Sequence, residues 1–291
     1  MKKKIIPVIV ALALILIIAL IGFGGMILDK YSYSKELANL DEYFGVAQGE
    51  LAIILQDEMV EEKALLRDEA VYFDIDTMKK YLNEGFYVDL GEQKLLYTTA
   101  DDTVTTAFGG REYADKGGSH PTEYATCLLE GEQLYVAAEY VRLFTNFSYE
   151  RFDRHIQMYT QWGEKQMLEV TKNTQVRTLG GIKSPILREL EEGEMVELLN
   201  QMETWSEVKT SDSLIGYVEN KRLGNESTEV EVPVTDYVPA EYTSLPLPGK
   251  VSLGFHAIGG EAGNETLEAM VAEGKGINVI APTWFSLNDN E

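Results

Sequence analysis

The sequence predicts a multidomain chain: an N-terminal transmembrane helix, an α+β domain built from a duplicated repeat, a small all-β barrel, and one βαβ unit that starts an α/β barrel. Three observations predict this. An uncharged apolar run fills positions 5–28. Two stretches between residues 66 and 168 repeat one order of apolar and turn residues. From residue 169, short β-type runs separated by turn residues give way, at residue 250, to an apolar strand–helix–strand pattern.

The apolar run follows Lys2, Lys3 and Lys4, and the next charges, Asp29 and Lys30, cancel. At 1.5 Å rise per residue it is long enough to cross a hydrocarbon core of roughly 30 Å. The positive-inside bias puts the N-terminus in the cytoplasm and residues after about 29 outside. A cleaved signal peptide is the rival reading, but its apolar core runs about 7–15 residues and ends at a small-x-small site. Here the run is longer and ends Gly22-Phe23-Gly24-Gly25-Met26. Both readings export the body. The predicted location is the cell membrane, single-pass, with the body extracytoplasmic (secreted if the leader is cleaved), and the lipid bilayer is a partner through residues 5–28.

Of the 25 Lys and Arg, three precede the apolar run, against 48 Asp and Glu in the whole chain. Such an acidic body gains nothing from counterion release, which argues against nucleic acid and against docking on anionic lipid. Cys127 is the single cysteine, so no intrachain disulfide forms and each domain depends on core burial. The length beyond residue 28 allows two or three small domains at about 100–200 residues each.

Residues 29–65 read as a juxtamembrane stalk, with a charged, helix-prone segment at 57–68. In the duplicated domain, 66–168, the first copy is a strand at 71–75, a helix at 77–83, then a hairpin of 87–89 and 94–98 about Gly91. The second copy is a strand at 134–138, a helix at 139–146, then a hairpin of 147–150 and 156–160. Tyr72 matches Tyr135, Asn83 matches Asn146, and Tyr97 matches Tyr159. Gly109, Gly110, Gly117, Gly118 and Pro121 mark the loop between copies. On the helix–hairpin order and the stretch Tyr135-Val136-Ala137-Ala138-Glu139-Tyr140-Val141, this unit resembles the small domain named after the N-terminal part of copper amine oxidases. The name suggests copper, but the residues do not. His120, His155 and His256 lack the paired spacing of a metal site and read as surface or turn residues. No metal and no cofactor is predicted, and the region is expected to act as a structural or wall-binding spacer.

Residues 169–223 carry Val170–Arg177, then Ser184-Pro185-Ile186-Leu187, then 190–199, then Trp205–Thr210, and close with Gly216-Tyr217-Val218. Short β-rich runs between turns predict a small barrel. The Asn-x-x-Val-Arg opening, the Leu-x-x-Gly middle, the Trp before a Val strand and the Gly-Tyr-Val close strongly resemble bacterial SH3-like domains. That resemblance implies binding of cell-wall peptides or packing beside a catalytic domain. Trp205 and Tyr217 either line a ligand groove or serve as core and rim of the barrel, which needs its aromatics. Residues 224–249 form a linker stiffened by Pro233, Pro239, Pro246 and Pro248.

In residues 250–291, an apolar strand at 251–255 ends at His256. Asn264, Glu265 and Thr266 open a helix with Leu267, Met270 and Val271 on its apolar side, and Gly274 and Gly276 stop it. A second apolar strand fills 277–282. This is one βαβ unit of a parallel sheet. A single such unit leaves its strands uncovered, so the chain reads as ending where a larger domain begins. The stretch from Gly276 to Leu287, after Lys250–Phe255, resembles the opening of a family-18 glycoside hydrolase (TIM-type) barrel of the spore and cell-wall kind, over about two of eight strands. The resemblance implies cleavage of β-1,4 links beside N-acetylglucosamine, with the substrate's acetamido oxygen as nucleophile. It places the acids in an Asp-x-Asp-x-Glu motif ending the fourth strand. That motif is absent, and Asp289 and Glu291 do not match it. No catalytic residue is therefore predicted in this chain, which alone is expected to be inactive. Phe255, His256, Thr283 and Trp284 fall at the carboxyl ends of strands, where barrel sites form. Trp284 either stacks on sugar or packs under a neighbouring loop.

The leading expectation is the membrane-tethered N-terminal portion of a hydrolase acting on peptidoglycan or chitin-like glycan. The alternative is a non-catalytic wall-binding or scaffolding protein that uses its SH3-like domain. The expected partner is cell-wall glycan or peptide, and not nucleic acid.

Overall fold

A computed structural model of the chain describes residues 13–18, 22, 25, 28–99, 102–232, 235, 237–239, 249–258, 263 and 265–283. Most of the predicted membrane helix over 5–28 lies outside them. Residues 13–18 are helical, and no helix among the described residues is long and apolar enough to cross a membrane. The described protein is mostly β, with antiparallel and mixed sheets and few short helices. It divides into two compact units, 1–239 and 240–291.

Helix α1 (Leu40–Phe44) begins at Asn39, whose side chain accepts from the Asp41 amide. It stops at Gly45, which takes the left-handed conformation (φ 59°) that glycine adopts without a Cβ penalty. Strands β1 (Glu50–Leu55), β2 (Glu58–Arg67) and β3 (Ala70–Asp74) follow. The stalk expected over 29–65, with its helix-prone segment at 57–68, is therefore corrected: residues 50–55 and 58–67 are sheet. Leu51, Ala52, Ile53 and Ile54 are all buried. A strand covered on both faces reads as a continuous apolar run rather than an alternation. The high helix propensity of Glu, Lys, Ala and Leu in β2 yields to that pairing.

Asp74 ends β3 and caps helix α2 (Ile75–Tyr81), accepting from the Asp76 and Thr77 amides. Five short strands come next: β4 (Phe86–Asp89), β5 (Lys94–Thr98), β6 (Thr103–Ala107), β7 (Glu112–Asp115) and β8 (Gly118–Pro121). They form one antiparallel meander in chain order. The chain then makes β9 (Cys127–Glu130), β10 (Gln133–Ala137), α3 (Ala138–Arg142), β11 (Ser148–Arg151) and β12 (His155–Tyr159). Both copies of the repeat thus run strand, helix, hairpin. Their first strands pair with each other, Val136 opposite Phe73. Their hairpins part: β4–β5 opens the meander, whereas β11–β12 joins a seven-stranded sheet ordered β11-β12-β1-β2-β3-β10-β9, in which β12 lies parallel to β1. Asn83 ties the copies together by donating to Phe144 O (3.1 Å) and Thr145 Oγ1 (2.9 Å).

The next stretch supplies β13 (Glu164–Val170), β14 (Thr174–Arg177), β15 (Ile186–Leu190), β16 (Met195–Gln201), β17 (Trp205–Lys209), β18 (Ile215–Glu219), a 3-10 turn at Asn220–Arg222, and β19 (Leu223–Val230). They form a second seven-stranded sheet, antiparallel, ordered β15-β14-β18-β17-β16-β13-β19. Valines 170, 176, 196, 208 and 218 meet Phe44, Ala52 and Ile54 in its core. Residues expected to be stalk therefore complete this core, and Leu37 bridges the edge of β15 at Ile186. The expected linker over 224–249 begins inside β19; Pro233, Pro246 and Pro248 lie outside the described residues.

In the second unit β20 (Leu253–His256) pairs in parallel with β21 (Val279–Pro282), and helix α4 (Leu267–Glu273) lies between them in sequence.

Candidate functional site

Strands β17 and β18 set Trp205 opposite Glu219, Glu207 opposite Tyr217, and Lys209 opposite Ile215. The alternate positions Ser206, Val208 and Val218 are buried. The period of two therefore places Trp205, Glu207, Ile215 and Tyr217 together on the other face. Helix α1 brings Tyr43 to this face, where its hydroxyl donates to Ile215 O at 2.6 Å. The Tyr217 hydroxyl donates to Glu207 Oε1 at 3.0 Å.

Tyr43, Glu207, Ile215 and Tyr217 help wall a groove of about 610 Å³. Tyr43 and Tyr217 give it aromatic faces, Met59, Leu179, Leu199 and Ile215 an apolar lining, and Asp57, Glu58 and Glu207 carboxylates. The Asp57 carboxylate pairs with Lys209 Nζ, which also sits 2.9 Å from Glu197 Oε2. Burial first, then the charge of Glu207, pushes the Tyr43 hydroxyl up to about 12. Burial, and then the hydrogen bond to Glu207, also raises Tyr217. Both tyrosines therefore stay protonated at neutral pH and keep donating to their partners.

Of the two aromatics singled out in this sheet, Tyr217 lines the groove and Trp205 stands one register step away, partly buried. A Cβ added at Gly180 would come within 3.4 Å of the indole, so the β14–β15 loop packs on Trp205. Sequence reasoning missed Tyr43, Asp57, Glu58 and Glu207. Glu207 was recoverable, because it alternates with Trp205 along β17. Tyr43 was not, because its approach to Ile215 depends on residues far apart in the chain.

In the second unit, Phe255, His256 and Thr283 gather at the carboxyl ends of β20 and β21. Phe255 is 81% exposed. The Thr283 amide donates to His256 O at 3.0 Å, and Thr283 Oγ1 accepts from the Ile258 amide at 2.9 Å. Among the described residues, His256 Nε2 is buried without a hydrogen-bond partner. Trp284 lies outside the described residues.

His120 stacks on Tyr113 and meets Asp115 at 2.9 Å. His155, read from sequence as a surface or turn residue, is instead 4% exposed, stacked between Phe44 and Phe152, with Nε2 at 3.0 Å from Asp212 O. Among the described residues, no group of three or more His, Cys, Asp or Glu is placed to hold a metal ion. Comparison with family models, curated proteins and solved structures returns no match to this chain.

Proposed function

We propose that the chain is the membrane-tethered, extracytoplasmic N-terminal portion of a family-18-type glycoside hydrolase acting on N-acetylglucosamine-containing glycan. In this reading the duplicated repeat and the SH3-like sheet stand between the bilayer and a TIM-type barrel. The observation that carries it is the parallel β20–α4–β21 unit, with Phe255, His256 and Thr283 at the carboxyl ends of its strands. The test is the reading frame beyond codon 291. It is expected to encode an Asp-x-Asp-x-Glu motif at the end of a fourth strand, and its absence overturns the reading. The chain alone is expected to leave N-acetylglucosamine oligomers intact.

The groove favours a second reading, a non-catalytic wall-binding module. Tyr217 and Glu207 on one strand pair, with Tyr43 from helix α1, form a surface suited to sugar or peptide. Retention of the chain on purified cell wall, compared among wild type, Tyr217→Ala and Trp205→Ala, tests it. The wild type is expected to be retained and Tyr217→Ala released; absence of wild-type retention sinks the reading.

A further inference from the structure

The groove beside Tyr217 has an unbalanced hydrogen-bonding inventory. Its two phenols are spent, Tyr43 on Ile215 O and Tyr217 on Glu207. Among the described residues, no lysine or arginine lines it. What remains for a ligand is mostly acceptors and π faces: Glu207, Glu58 at the exposed rim, and two tyrosine rings. A carboxylate or phosphate would meet few donors and two negative charges. A donor with positive charge would meet carboxylates and aromatic faces together, the arrangement that stabilises a cation. Met59, Leu179 and Leu199 line the remainder, and Met59 and Leu179 are exposed in the free protein. Apolar lining of this kind suits an aliphatic stem leading to the charge.

We propose that the groove binds a short peptide through a side-chain ammonium on an aliphatic stem, as a diamino-acid residue of a wall peptide presents. The carboxylate of Glu207 accepts from the ammonium, the rings of Tyr43 and Tyr217 flank it, and Met59 and Leu179 cover the stem. This deepens the wall-binding reading and names the part of the wall that is held.

The test titrates the full chain, solubilised in detergent, with acetyl-alanyl-lysyl-alanine amide and with the same peptide acetylated on the lysine Nε. Intrinsic fluorescence or amide chemical shifts report binding. The free-amine peptide is expected to bind about tenfold more tightly than its acetylated form. Glu207→Gln is expected to weaken the free-amine peptide about fivefold while leaving the circular dichroism unchanged. Tyr217→Phe keeps the ring and releases Glu207, and is expected to bind at least as well as wild type. Equal affinity for the two peptides, no binding of the free-amine peptide, or indifference to Glu207→Gln each overturns the proposal. Wall retention separates it from the reading on which it rests. A chain that binds the lysine peptide but not wall keeps the groove chemistry and loses the wall. A chain retained equally by native and amine-acetylated wall keeps the wall and loses the ammonium.

Discussion

Two buried titratable side chains, Lys209 and His155, link stability to pH in opposite directions. Lys209 is 3% exposed, lies against Asp57 and Glu197, and sits 5.2 Å from the Tyr159 ring centroid. Lys165, 3.5 Å from Glu197, shares the load. Breaking a buried pair leaves an uncompensated charge, usually at a cost of several kcal/mol, and the second lysine softens it. Lys209→Met is therefore expected to lower stability by about 2–3 kcal/mol in urea denaturation; a loss under about 1 kcal/mol would mark the cluster as solvated. Burial pulls the Lys209 ammonium down, but hydrogen bonds to Asp57 and Glu197 outweigh it and hold it above its ordinary value. Its contribution is accordingly complete at neutral pH and lost only as alkaline pH passes the folded-state value. His155 behaves oppositely. Burial outweighs the Asp212 carbonyl and holds the imidazole below its ordinary 6.5. The unfolded chain then takes up the proton first, so this contribution is present above about 6.5 and falls as pH drops through it. Unfolding free energies measured between about pH 7 and 5 should decline, and His155→Gln should flatten that decline. An unchanged slope in the variant would show that His155 is not responsible.

At the scale of elements, close approach governs the second sheet. Gly216 in β18 faces β14 so tightly that an added Cβ would lie 2.6 Å from Arg177 O and 2.6 Å from Val176 Cγ1. A glycine inside a strand often marks such an approach. Gly216→Ala is expected to cost roughly 2–3 kcal/mol through forced backbone shifts, while Gly180→Ala, 3.4 Å from Trp205, should be nearly neutral. Equal thermal shifts in the two variants would refute the contrast. The Gly-Tyr-Val close was legible in the sequence for the same physical reason: glycine and alternating apolar residues leave a local signature. So did the strand–helix–hairpin order of both repeat copies, punctuated by glycines and turn residues. Strands β1 and β2 left no such signature. One is a short apolar run and the other a charged, helix-prone segment; β2 becomes sheet by pairing with its chain neighbours β1 and β3, and β1 gains the distant β12 as a parallel partner. The groove was half legible on that account. Tyr217 and Trp205 belong to the alternating strands, whereas Tyr43, Asp57 and Glu58 arrive from the segment whose fold is set by tertiary contact.

At the scale of the whole first unit, β1 is the hinge of the architecture. Leu51 and Ile53 point into the core of the repeat, and Ala52 and Ile54 into the core of the second sheet. Both cores therefore draw on a single strand, and α1 adds Phe44 to the second. Independent spacer domains would survive loss of the segment before residue 66. A shared strand predicts otherwise. Without α1, β1 and β2 the first sheet loses its centre, β12 its parallel partner, and the second core three of its buried side chains, Phe44, Ala52 and Ile54. A chain covering residues 29–239 is expected to unfold in one cooperative transition, with tryptophan fluorescence and far-UV circular dichroism coincident. A chain covering 66–239 is expected to show no cooperative transition in either signal. Should 66–239 unfold cooperatively, the two sheets would be autonomous and β1 merely laid between them. Should Ile54→Ala lower the midpoint of one signal only, the cores would be uncoupled even in the longer chain.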